Sequence, residues 1–168
     1  MENRSVLLGF GFAIATGFMA HSGSAIESCP AEPKQLVDQL LGDLPQYANR
    51  AIAQTQPRSS GQGRFIVTAS QPEFTPWLGQ ESITQVYFTT LEHQYHNQEQ
   101  IKQQSFHRLL LTQDGPDWYL VGLYSRMGTD LLAGSIPSAP QEASNSALGQ
   151  GIQRWLRDCR FVAAGDSP

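Results

Sequence analysis

The sequence predicts an α+β domain, in which a four-stranded antiparallel sheet packs on an N-terminal and a C-terminal helix. Apolar residues recur at the helical period near both ends of the chain, and strand-like runs joined by short links fill its middle. The centre is a hairpin, since apolar runs at 106–111 and 118–124 flank Asp114-Gly115, a pair typical of tight turns. Both arms carry apolar residues on both faces, which predicts central strands covered on two sides.

The N-terminal segment, residues 1–25, has the pattern of a secretory signal peptide. Arg4 precedes an uncharged apolar run at 6–20, and the small residues at 23–25 fit a cleavage site. The run is shorter than the roughly 20 residues of a membrane-spanning helix, so cleavage is favoured over an uncleaved anchor. We expect an exported chain with a single domain at 26–168, and contact with a membrane only if the first segment stays uncleaved.

Two cysteines, Cys29 and Cys159, lie at opposite ends of the expected domain. In an exported protein such a pair predicts a disulfide. A redox or metal-binding pair is disfavoured because the two residues lack C-x-x-C spacing. Free thiols are the remaining alternative.

The N-terminal helix is predicted over residues 33–55. Its apolar residues share one face at the 3.6-residue period: Leu36, Val37, Leu40, Leu41, Leu44, Tyr47, Ala48, Ala51 and Ile52. Pro45 interrupts this pattern, and Gly42-Asp43 before it has the form of a stop followed by a new N-cap. One kinked helix and two nearly collinear helices both fit.

The four predicted strands follow, at 64–69, 83–95, 101–111 and 118–124. The second half of 83–95 also fits a helix. Residues 70–82 form a Pro-bounded loop, and residues 127–145 form a surface crossing with little regular structure. A helix leading into such a meander resembles the cystatin-like or NTF2-like arrangement, an analogy that concerns the fold alone.

The C-terminal helix is predicted over residues 146–161. Its apolar residues, with Cys159, lie within an arc of about 100° at 100° per residue: Leu148, Ile152, Trp155, Leu156 and Cys159. Arg154, Arg157 and Arg160 lie on the opposite side. Asp158 is placed for an i,i+4 pair with Arg154. The arginines form either a solvated helix face or a contact for an anionic partner or lipid headgroup.

Charge and histidine positions disfavour two classes of function. The formal net charge of −4 argues against nucleic acid as the main partner, since binding phosphates needs a concentrated basic excess. His93, His96, Glu92 and His107 are the cluster nearest to a metal site. In a strand, positions 93 and 96 point to opposite faces, so we expect surface histidines and no metal.

Catalytic signatures are missing from the sequence. It has no Gly-x-Ser-x-Gly motif for a serine nucleophile, and its Gly9-Phe10-Gly11 lies inside the expected signal peptide. Asp114 and Asp117 are interpreted as turn residues rather than as an acid/base pair. We therefore assign no catalytic, cofactor-binding or metal-binding residue, and the sequence leans against an enzyme.

Phe74 and Trp77 are the other candidate contact residues. They are bulky side chains on the Pro-bounded loop at 70–82. They either fold back as a lid on the core or anchor a partner, since buried aromatic residues carry much of the energy of an interface.

Four segments together resemble a family of uncharacterised exported cyanobacterial proteins: DLPQYANRAI at 43–52, ASQPEFTP at 69–76, QVYFTTLEHQY at 85–95 and WLRDCR at 155–160. The resemblance implies a bacterial envelope or thylakoid-lumen setting. It transfers no functional residue.

Two functions are expected from these observations. The first is a non-enzymatic exported module, in the periplasm, thylakoid lumen or extracellular space. It would bind a protein or an envelope component through the loop around Trp77 or through the arginines of the last helix. The alternative is a small-molecule pocket, with or without catalysis, between the sheet and its helices. A deep polar cavity would favour the second function, and a filled core would favour the first.

Overall fold

A computed structural model describes Ile26 and residues 28–55, 63–76, 82–96, 99–128 and 138–163, with His96 and Ala163 described by their backbone alone. The expected signal peptide and Trp77 lie outside these residues. The elements in chain order are α1 (Pro33–Thr55), β1 (Gly63–Ala69), β2 (Glu73–Phe74), β3 (Ile83–His96), β4 (Glu99–Asp114), β5 (Asp117–Met127), β6 (Gln141–Glu142) and α2 (Ala147–Ala163). The predicted α+β class is confirmed.

The sheet of the described residues is antiparallel and contains six strands, in the order β1-β3-β4-β5-β6, with β2 paired to β3 beside β1. The predicted number of four strands is wrong because β2 and β6 were missed, and each of them contains 2 residues. A strand of that length carries no alternating pattern, so its pairing depends on the neighbouring strand. β3 is a strand along its whole length, which excludes a helix in its second half.

The central hairpin consists of β4 and β5, joined at Gly115, whose φ of 59° is the left-handed conformation that glycine adopts easily. The predicted coverage of both faces is wrong, because the helices cover one face alone. On the other face Phe106 is 36% exposed. Aromatic residues are favoured in strands even when half-buried, so apolar residues on both faces do not require two covering layers.

Both helices pack on the same face of the sheet. α1 is one continuous helix through Pro45, with the predicted apolar face towards the core. The two helices approach closely at Gly151, where a Cβ atom would lie 2.9 Å from the Cα of Ala48. The space between helices and sheet is filled by apolar side chains, among them Leu36, Leu40, Leu44, Val86, Leu109, Leu111, Leu123, Ile152, Trp155 and Leu156.

Polar contacts at the rim of this core join the two helices. The Trp155 indole Nε1 donates to Asp43 Oδ2 at 2.9 Å, and the Tyr47 hydroxyl donates to Asp158 Oδ2 at 3.1 Å. Burial and the Asp158 carboxylate together raise the pKa of Tyr47 to about 12, so its hydroxyl keeps its proton. In both contacts a donor on one helix is paired with an acceptor on the other.

Asn49 on α1 binds the backbone of β1 in the way a neighbouring strand would. Its Oδ1 accepts from the N–H of Ile66 at 2.7 Å, and its Nδ2 donates to the carbonyl of Ile66 at 2.8 Å. An unpaired strand edge is a template for pairing with another chain. Asn49 therefore satisfies the N–H and the carbonyl of Ile66, which would otherwise be available to pair with another chain.

The predicted disulfide between Cys29 and Cys159 is confirmed, with the two Cα atoms 5.0 Å apart. It ties the segment before α1 to the buried side of α2. The Trp118 indole Nε1 donates to the carbonyl of Pro30 at 3.2 Å, which holds the same segment against β5. Neither described helix has the length and hydropathy needed to cross a bilayer.

Candidate binding groove on the open face of the sheet

The sheet face opposite the helices, here the open face, carries a groove of about 470 Å³. Its floor is formed by β3, β4 and β5. Ser70, in the connection from β1 to β2, borders it at one end, and Pro140, before β6, borders it at the other. The groove therefore crosses the strands instead of following one of them.

Register places one row of side chains across the whole sheet. Neighbours on adjacent strands point to the same face, so the row contains Glu73, Tyr87, Arg108, Tyr124 and Glu142. Arg108 lies in the middle of the row between two tyrosine rings, and a carboxylate lies at each end of the row. Hydrogen bonds from Ser144 lower the pKa of Glu142, so that end of the row stays negatively charged near neutral pH.

A shorter row next to it contains Thr89, Phe106 and Arg126. The Arg126 Cζ lies 5.0 Å from the centre of the Phe106 ring, and the Arg108 Cζ lies 4.6 Å from the centre of the Tyr124 ring. Each guanidinium therefore lies over the ring of the neighbouring strand, within the range of a cation–π interaction. Among the described residues, Arg126 takes part in no salt bridge.

A β-bulge places these residues on the open face. Leu110 pairs with Gly122 and Leu111 pairs with Leu120, so Val121 is an extra residue in β5. A one-residue shift moves every following side chain to the other face of the sheet. Without the bulge, Tyr124 would face the helices and Leu123 would face solvent. The bulge therefore builds the groove and completes the core at the same time.

Beneath the groove, on the helix face of the same strands, a chain of hydrogen-bonded polar side chains runs from Ser125 to Arg64. His107 contacts Ser125 Oγ through Nδ1 and Thr90 Oγ1 through Nε2, both at 2.8 Å. The Thr90 hydroxyl donates to Glu92 Oε1 at 3.4 Å, and Arg64 Nε lies 2.6 Å from Glu92 Oε2. The predicted surface position of His107 is wrong, because this side chain is only 4% exposed.

The hydrogen bonds of this polar chain determine the tautomer of His107. The Thr90 hydroxyl donates its proton to Glu92, so its oxygen accepts the hydrogen bond from His107 Nε2–H. The other ring nitrogen, Nδ1, then accepts from the Ser125 hydroxyl. Thr90 separates the histidine from the carboxylate, unlike the direct His–Asp contact of a catalytic triad. Every member of the chain has a partner, so we interpret it as a structural link between β1, β3, β4 and β5.

His107 makes stability depend on pH. Burial, reinforced by the charge of Arg64, lowers its pKa from 6.5 to about 4. Between these values the unfolded chain binds a proton that the folded chain does not, so stability is complete above pH 6.5 and falls as the pH approaches 4. The expected loss is about 3 kcal/mol. Urea melts across this pH range measure it.

The matched control for this prediction is a pair of variants, His107→Gln and His93→Gln. The first should flatten the dependence of unfolding free energy on pH, and the second should leave it unchanged, whatever each does to stability at neutral pH. Equal slopes in the wild type and His107→Gln would show that other groups cause the acid sensitivity.

The predicted contact residues lie apart from the groove floor. Phe74 belongs to β2, is 40% exposed and does not act as a lid on the core. Arg157 pairs with Asp158 at 3.3 Å, whereas Arg154 donates to Gln54, so the predicted pair of Arg154 with Asp158 is wrong. Within the described residues, no group of three or more His, Cys, Asp and Glu side chains is arranged to hold a metal ion.

Sequence reasoning missed the residues of the groove. The available signal was an aromatic-x-Arg pattern on both arms of the hairpin, Phe106-x-Arg108 and Tyr124-x-Arg126. In an antiparallel pair, two such patterns can cross so that each arginine meets the ring of the other strand. The crossing requires the bulge, which the sequence does not reveal.

Comparisons with protein-family models, curated proteins and solved structures gave no match. What the structure defines is a class: an α+β module with two helices on one face of its sheet and a cationic, aromatic groove on the other. Its function has to be inferred from the chemistry of that groove.

Proposed function

We propose that this protein is a non-enzymatic exported module that binds an extended segment of a partner protein in the groove. The observation that carries the proposal is the guanidinium of Arg126, stacked on the exposed ring of Phe106 and unpaired with any carboxylate of the described residues. A guanidinium already placed over a ring loses less side-chain freedom when it binds a carboxylate than a free one would.

Export is part of the proposal. It is supported by the signal-peptide pattern of residues 1–25 and by the disulfide, because disulfides persist in oxidising compartments. The resemblance to exported cyanobacterial proteins supports an envelope or thylakoid-lumen setting. The order of a helix followed by an antiparallel meander supports a cystatin-like or NTF2-like arrangement.

The dimensions of the groove suit a short stretch of extended chain. The row from Glu73 on β2 to Glu142 on β6 crosses four strand spacings of about 4.8 Å, a span of about 19 Å. An extended peptide rises about 3.3 Å per residue, so about six residues fill the span. Carboxylates at both ends of the long row, Glu73 and Glu142, disfavour a uniformly acidic ligand. The favoured segment is apolar, with one acidic residue opposite Arg126.

A small-molecule pocket between sheet and helices has less support. The side chains that meet there, including Leu109, Leu123 and Trp155, are fully buried against each other. The groove lies on the other face, where Tyr87 is 38% exposed. Because the groove is open to solvent along its length, it is better suited to an extended peptide than to an enclosed small molecule.

The test is a titration with the acetylated and amidated peptide Ser-Leu-Leu-Glu-Leu-Leu-Ser, followed by calorimetry. The wild type should bind it more tightly than the same peptide with Gln in place of Glu. Arg126→Glu should weaken binding about tenfold, since it replaces an attraction by a repulsion. Glu73→Gln should strengthen binding by a few-fold, because it removes a like charge from the groove.

The control is Arg50→Glu on α1, which changes the net charge by the same amount on the helix side of the molecule. It should alter the affinity less than twofold. Equal effects of Arg126→Glu and Arg50→Glu would mean that net charge, not the groove, governs binding. If neither peptide binds, the proposal fails.

A further inference from the structure

We infer that the outer face of α2 is a docking surface for an anionic membrane, recognised through the phosphates of its lipid headgroups. The surface, here the arginine surface, consists of Arg154, Arg157, Arg160, Phe161 and Tyr119. None of these residues lines the groove. The inference therefore goes beyond the proposed function and does not need residues 1–25.

Positive charge is concentrated on the arginine surface. Its three arginines line one depression of about 490 Å³, and no carboxylate lines it with them. The whole chain has a formal net charge of −4, so this grouping is opposite in sign to the rest of the protein. Clustered charge of this kind attracts an oppositely charged surface over about one Debye length.

The partners of these guanidiniums leave most of that charge uncompensated. Arg154 donates to the neutral amide of Gln54, and Arg160 donates to the carbonyl of Trp118 at 2.8 Å and lies 4.7 Å from the centre of the Tyr119 ring. Arg157 pairs with Asp158, whose other oxygen accepts from Tyr47. Among the described contacts, the three guanidiniums therefore share a single carboxylate partner, that of Asp158.

An exposed ring lies among the arginines. At 100° per residue, Arg157 and Phe161 both lie on the side of α2 opposite its buried arc, and Phe161 lies between Arg154 and Arg157. Phe161 is 54% exposed, although a phenylalanine on a surface helix normally faces the core. Tyr119, beside Arg160, is 40% exposed.

A bilayer interface explains the ring and the charge together. Helices that lie on membranes combine Lys or Arg with Phe or Trp, because the ring enters the headgroup boundary while the cations bind phosphates. A soluble phosphate needs no exposed ring. Each arginine near an anionic surface contributes about a fivefold gain in partitioning, so three of them with one ring give reversible attachment.

The test is co-sedimentation of the oxidised protein, as recovered after export, with vesicles of phosphatidylcholine with or without phosphatidylglycerol. Sedimentation should require phosphatidylglycerol and should decrease with added salt. Arg157→Glu should lower the partition coefficient about tenfold, since it replaces attraction to the lipid by repulsion. Phe161→Ser should lower it several-fold without any change in charge.

The control is Lys102→Glu, an exposed position on β4 with the same change in charge, which should alter partitioning less than twofold. Equal losses in Lys102→Glu and Arg157→Glu would overturn the inference. Calorimetric titration with inorganic phosphate separates the two sources of the anion. Phosphate binding without vesicle binding would identify a soluble-anion site. Binding of a poly-glutamate peptide without vesicle binding would identify an acidic protein partner. Either result would contradict the membrane-docking surface.

Discussion

Reduction of the Cys29–Cys159 disulfide should lower the free energy of unfolding by up to about 5 kcal/mol, as the chain-entropy model gives for a closed loop of this length. The two cysteines are separated by 130 residues, so the cross-link excludes many extended conformations of the unfolded chain. In the folded state the bond lies on the buried side of α2, where Cys159 is 0% exposed. Urea melts of oxidised and reduced protein measure the difference.

Cys29→Ser is the control for this measurement. It removes the cross-link but keeps the buried Cys159, and Cys29 itself is half-buried, so the new hydroxyl is not trapped in the core. Its melt should coincide with that of the reduced wild type and should not respond to reductant. If the oxidised and reduced wild-type proteins unfold at the same urea concentration, the disulfide does not stabilise the fold.

The sequence alone was sufficient to predict the two helices, whose apolar pattern repeats over several turns. α1 is observed over the predicted residues, and α2 turns the predicted residues Trp155 and Cys159 towards the core. A helix of several turns repeats its apolar pattern at each turn, so the pattern remains recognisable although Pro45 interrupts it. The disulfide was predicted from the two cysteines at opposite ends of an exported domain, and the apolar pattern agrees with it by placing Cys159 among the apolar residues of α2.

The candidate site was not predictable in the same way. A strict period of two places Tyr124 on the same face as Trp118 and Leu120, whereas the extra residue Val121 moves it to the open face. The buried position of His107 depends on Ser125 and Thr90, which reach it from two other strands. Pairings of that kind are set by the register of the whole sheet and leave no local pattern in the sequence.

Trp155→Ala should destabilise the protein by about 3–5 kcal/mol, the range for deleting a buried aromatic side chain. Trp155 is 0% exposed and belongs to the core that the two helices form with the sheet. Its loss leaves a cavity and also removes the donor that Asp43 binds at 2.9 Å. Trp155→Phe separates the two effects, because it fills most of the space and still removes the donor.

Arg157→Ala, on the opposite face of the same helix, is the matched comparison and should change stability by no more than about 0.5 kcal/mol. The arginine is 56% exposed and its pair with Asp158 is screened by solvent, so the ion pair contributes little. Urea melts of the variants test the orientation of α2, because both residues share one helix. A large loss in Arg157→Ala with none in Trp155→Ala would mean that α2 presents its arginines to the core, and the membrane-docking surface inferred for that face would then have no place in the folded protein.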